Sequence, residues 1–124
     1  MRIAFATDNQ KEIDAHFGQA EAFAIFEVTP HGYESRGIAC PQELQSSETD
    51  KIVARLEVLQ GCTLVYCTDI GGPAAARLIQ EKMHPLKVEA GTPFEYELQR
   101  LQKALAGNLP PWLCKIVHRS DNRR

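Results

Sequence analysis

Long apolar runs are missing from this chain. Its longest uncharged stretches, Val58 to Thr68 and Ala104 to Cys114, fall well short of the ~20 residues that a membrane-crossing helix needs. A membrane-spanning helix is excluded on that ground. No secretory leader is expected either, because the apolar stretch Ile3-Ala4-Phe5-Ala6 reaches Asp8 before it attains the ~7–15 residues of a signal core. A cytoplasmic protein is the expectation. Basic charge is not in excess: 14 Lys and Arg stand against 16 Asp and Glu, for a net charge of −2, so the basic face of a nucleic-acid binder is absent. Only the end is basic, with Lys115, Arg119, Arg123 and Arg124 against Asp121, and it reads as a solvated, fraying tail. Cysteine occurs four times, at Cys40, Cys62, Cys67 and Cys114, and never as Cys-x-x-Cys, which argues against a zinc ribbon or a thioredoxin-type site. In a reducing cytosol these are free thiols.

What remains is an ordinary globular composition, 44% hydrophobic and 24% charged, in 124 residues without repeats, enough for one domain. Residues 1–108 read as that domain, and 109–124 as a Pro-Pro-Trp-Leu segment followed by the basic tail. Arg2 to Thr7 is a strand ending at the turn signal Asp8-Asn9. Ala22 to Thr29 and Tyr33 to Cys40 form a hairpin around Pro30-His31-Gly32. After Pro41, Ser47 can cap a helix whose apolar positions Ile52, Val53, Leu56 and Leu59 follow the 3.6 period, and Gly61 ends it.

Cys62 to Cys67 is apolar without alternation, as in a strand covered on both faces in the middle of a sheet. Gly71-Gly72-Pro73 opens a second helix with Leu78 and Ile79 as its buried stripe. Pro85 to Glu89 is a last short strand. Thr92-Pro93-Phe94-Glu95 has the form of a capping box, and it opens a third helix along Phe94, Leu98, Leu101 and Leu105, ended by Gly107-Asn108. The order β-β-β-α-β-α-β-α, with right-handed crossovers, predicts an α/β fold. Its five-stranded mixed sheet runs third, second, first, fourth, fifth, with only the second strand antiparallel and three flanking helices. This is a ribonuclease H-like architecture.

Ligands of open α/β sheets bind beyond the carboxyl ends of the strands. In the predicted sheet that edge collects the loops Asp8 to Gly18, the residues after Cys40, Thr68 to Pro73, and Ala90 to Pro93. His16, Cys40 and Cys67 fall on or beside it, and imidazole and thiolate are natural donors to iron and iron-sulfur species. Each also has a plain structural reading: a solvent-exposed loop histidine, or a small buried cysteine at a strand end. Cys62 reads as core. Cys114 and His118 belong to the tail. Gly71-Gly72 before a helix lets backbone approach an anion, although neither a Walker loop nor a dinucleotide fingerprint is present. Asp8 and Asp69 at loop mouths are too few carboxylates for a two-metal nuclease, and a Cys67–His16 dyad formed in space stays open.

Met1 to Asp8, the run Asp14-Ala15-His16-Phe17-Gly18, Asp69 to Leu78, His84 to Val88 and Pro110-Pro111-Trp112-Leu113 together resemble the NifX family of nitrogenase cofactor-binding proteins. The resemblance covers about residues 1–115, and the Pro-Pro-Trp-Leu end points to the NifX branch. It implies a ribonuclease H-like fold without enzymatic activity. The implied role is that of a carrier for the iron-molybdenum cofactor or its iron-sulfur precursor cluster, bound as cargo during nitrogenase maturation. It places the family's histidine at His16, the leading metal contact, within His16-Phe17-Gly18. It also makes Gly71-Gly72 a cradle for an anionic cluster; Cys67 as a second metal contact and Cys40 as a further cofactor contact come from their place at the sheet edge and not from the resemblance. The implied partners are cofactor assembly proteins, as cluster donor and scaffold, and apo-dinitrogenase; neither nucleic acid nor membrane is implied. The alternative is an interaction module of the same machinery that holds no cluster.

Overall fold

The structure, a computed structural model, describes residues 1–42, 48–107 and 109–121. Five strands form the main sheet: β1 (Arg2–Thr7), β3 (Ala22–Thr29), β4 (Gly32–Ala39), β5 (Leu64–Cys67) and β6 (His84–Lys87). Their order is β4-β3-β1-β5-β6, with β3 antiparallel to both neighbours and β1, β5 and β6 parallel. The expected order and direction are both found. The middle strand is β1, however, and β5, although buried along its whole length, lies beside it.

Strand alternation divides the core into two layers. Ala4, Ala6, Phe23, Ile25 and Val65 face Ile52 and Leu56 of α1 (Glu48–Val58), Leu59 just after it, and Ala74 and Leu78 of α2 (Gly72–Gln80). Ile3, Phe5, Ala24, Leu64 and Tyr66 face Leu98 and Leu101 of α3 (Phe94–Ala106) and Leu113 of α4 (Pro111–Asp121). Phe5 anchors the second layer: its ring stacks on Phe94 at 4.9 Å and tilts against Tyr66 at 4.9 Å.

Several local expectations are corrected. A fourth helix, α4, occupies the stretch read as a segment and tail, because Leu113 is buried and Leu109, Ile116 and Val117 cover the same apolar layer. In α2 the buried stripe is Ala74 and Leu78, one turn apart, while Ile79 turns outward at 59% exposure. Val53 of α1 also faces out. The capping box is not formed: Pro93 stands at the N-cap without a side-chain cap bond, and the Thr92 hydroxyl donates to the Glu89 carbonyl at 2.6 Å. Thr92–Pro93 instead forms a small strand, β7, paired with another, β2 (Glu12–Ile13). Pro73 sits in the first turn of α2 as expected. The cap expected at Ser47 and the stop expected at Asn108 lie outside the described residues, as does the side chain of His118.

A bulge between Ile25 and Phe26 leaves Arg36 as the extra residue of β4, beside Gly37 at φ +97°, where a side chain would be strained.

Candidate functional site

The loops at the carboxyl edge are tied together by backbone. After β1 the chain makes a tight turn: Asn9 Oδ1 accepts the amides of Lys11 and Glu12, and Asp14 Oδ1 accepts the Asp8 amide at 2.7 Å. The Thr7 hydroxyl donates to Glu12 O at 2.7 Å. The loop then runs beside the end of β5. Thr68 N donates to Ala15 O at 3.0 Å, and Phe17 N donates to Asp69 O at 2.9 Å. His16 is thereby held between two backbone bonds, next to the residues that lead into Gly71-Gly72. The β2–β7 pair and the bond from Gly91 N to Ile13 O bring the loop after β6 to the same edge.

His16 is half-buried, and its Nδ1 accepts the Gly18 amide at 3.0 Å. An amide always carries its hydrogen, so Nδ1 is the acceptor and Nε2 is the nitrogen left over for a ligand. Among the described residues Nε2 has no hydrogen-bond partner. Phe17 is a buried anchor whose ring packs against Phe23 at 5.8 Å. Gly71 and Gly72 are exposed, and a Cβ at Gly72 would meet nothing within 4 Å. The fold therefore leaves open space along the start of α2.

The thiols separate from this group. Cys67 is fully buried in the apolar layer, and burial, then the charge of Asp69, pushes its thiol up to about 11. Its sulfur is turned toward the Leu86 carbonyl at 3.9 Å and is not brought to the surface beside His16. Cys62 is also core, and burial pushes it up to about 11. Cys40 is exposed at the end of β4, and Cys114 is half-buried on α4. Asp8 Oδ1 accepts the Glu21 amide at 3.0 Å. Asp69 Oδ1 accepts its neighbour Ile70's amide at 2.9 Å and pairs with Lys87 at 3.2 Å; that backbone bond first, then Lys87, holds the carboxyl below its ordinary value. Both carboxylates thus serve the loops themselves.

One contributor was missed from sequence. Arg55 of α1, only 2% exposed, donates through Nε to Phe17 O at 2.7 Å and through NH2 to Ala20 O at 3.0 Å. Its signal was a cation inside the apolar stripe of Ile52, Leu56 and Leu59. Beside it lies an open cleft of about 450 Å³, lined by the stretch Gly18 to Glu21 with Pro41, Lys51 and Arg55.

A family model described as "Dinitrogenase iron-molybdenum cofactor" matches residues 1–104. The chain belongs to this family. Among the proteins similar to this chain is Protein NifX of Herbaspirillum seropedicae, 34% identical over 125 residues, covering 99% of this chain and 86% of the relative. Protein NifY of Klebsiella pneumoniae is 38% identical over 115 residues, 90% of this chain but 48% of the relative. A crystal structure from Methanocaldococcus jannaschii superposes with a TM-score of 0.57 at 14% identity, over 85% of this chain and 90% of that one, and shares the fold. The family's match spans every loop of the carboxyl edge.

Proposed function

We propose that this chain is a non-catalytic carrier that takes up and releases the iron-molybdenum cofactor or its iron-sulfur precursor cluster. Its family membership assigns it to nitrogenase cofactor biosynthesis and nitrogen fixation; carriage of the cluster is our reading. The observation that supports it is the placement of His16, with Nε2 unpaired among the described residues, beside the open start of α2 at Gly71-Gly72. A carrier must hold its cargo loosely enough to hand it on. One imidazole, assisted by backbone amides at a helix N-terminus, suits an anionic cluster under that requirement. Phe17 and Gly18 shape the contact from behind. Cys40 is accessible for a secondary role, whereas Cys67 would have to leave the core to reach a metal. Cofactor assembly proteins as donor and scaffold, with apo-dinitrogenase as recipient, are the partners in this reading, and the ribonuclease H-like description of the sheet belongs to it.

Anaerobic titration with isolated iron-molybdenum cofactor, followed by absorbance, tests the proposal. His16→Ala is expected to weaken binding about tenfold or more while the thermal midpoint stays near wild type. Wild-type affinity in the variant removes His16 from the site. A colourless, iron-free protein isolated anaerobically from cells making the cluster, together with no binding in the titration, favours the interaction-module reading instead.

A further inference from the structure

The loop that carries His16 is fixed from two sides. On the side of β5, Ala15 O and Phe17 N are bonded to Thr68 and Asp69. On the other side, among the described residues, Arg55 makes the contact: its planar fork reaches Phe17 O and Ala20 O, and its NH1 donates to Lys51 O at 3.1 Å within α1. Between these anchors Gln19 N donates to His16 O at 3.0 Å, and Gly18 N to His16 Nδ1. The orientation of the imidazole therefore depends on where the carbonyls of Phe17 and Ala20 are held.

A guanidinium is an expensive occupant for this position. Ile52 and Leu56 on α1 and Leu59 just after it belong to the apolar layer beside it, and an unbranched apolar side chain would fill the space without desolvating a charge. What an apolar side chain cannot do is bond two carbonyls of a loop 35 and 38 residues away in sequence. We infer that Arg55 is a positioning residue for the His16 loop, setting cargo affinity through the loop it clamps and not by touching cargo. This rests on the proposed role of His16. A lysine at 55 keeps the charge but, as a single point donor, cannot span both carbonyls.

The test compares Arg55→Lys, Arg55→Met, His16→Ala and the double variant His16→Ala/Arg55→Lys in the same anaerobic titration with isolated iron-molybdenum cofactor, with thermal midpoints and amide spectra of Phe17 to Ala20 measured alongside. Arg55→Lys is expected to bind about tenfold more weakly, with shifted amide signals in the loop and a folded core. In the His16→Ala background the same change is expected to cost nothing further, because the imidazole it positions is gone. Additive losses in the double variant, or full affinity in both Arg55→Lys and Arg55→Met, overturn the positioning role. Unfolding of both single Arg55 variants where His16→Ala stays folded overturns it as well, by assigning the clamp to global stability. If His16→Ala itself binds like wild type, the carrier site at His16 fails, independently of Arg55.

Discussion

Burial divides the thiols in a way that chemistry can read directly. Cys62 and Cys67 are enclosed and their pKa values are pushed up to about 11, so at neutral pH they are protonated as well as shielded. Cys40 stands exposed at the strand end. Brief iodoacetamide labelling of the native protein, read by peptide mass spectrometry, is expected to modify Cys40 first and to leave Cys62 and Cys67 unmodified until denaturant is added. Early labelling of Cys67 would show that it reaches the surface, and would restore it as a metal contact. At this scale the sequence was informative about kind and much less about direction. It placed His16 and Cys67 on one edge of the sheet, but which way each side chain turns is set by tertiary packing. The same limit hid Arg55, whose partners are two backbone carbonyls that no residue pattern marks.

Helix faces show where periodicity succeeds and where it misleads. In α3 the expected stripe is found, with Leu98 and Leu101 buried and Phe94 and Leu105 packed behind them. In α2 hydrophobicity alone points to Ile79, but angle decides for the small Ala74: Ala74 and Leu78 lie four apart, and Ile79 is a further 100° round the helix. The capping box was undone by a competitor, the β2–β7 pairing, which holds Thr92 extended.

On the buried side of α3, Glu97 is enclosed, and desolvation raises its carboxyl pKa against the lowering effect of Arg100, 3.5 Å away. Its folded pKa lies above the unfolded value of 4.5. The contribution to stability is therefore fully present below about 4.5 and declines as pH rises through the folded value. Glu97→Gln is expected to raise the thermal midpoint near pH 7 and to leave it almost unchanged near pH 4. An equal effect at both pH values would show that charge burial is not the cause.

Over the whole molecule, strand order and direction followed from element order, since the hairpin and two right-handed crossovers leave few alternatives. The last helix was not legible. Lys115 and Arg119 suggested a solvated end, yet α4 rests on the sheet through the buried Leu113 with Ile116 and Val117 packed beside it, and Trp112 stacks on His84 of β6 at 5.3 Å. Leu113→Ala is expected to cost about 2–4 kcal/mol in denaturant unfolding, in one transition with the rest of the protein. A loss below about 1 kcal/mol would mean that α4 is an accessory to the fold. Both outer strands of the sheet also carry interruptions. On β4 the bulge at Arg36 and Gly37 breaks the ladder among charged neighbours, and on β6 Pro85 offers no backbone N–H. Neither border presents a regular row of donors and acceptors to a passing strand, which guards the chain against polymerising edge to edge as it accumulates in the cell.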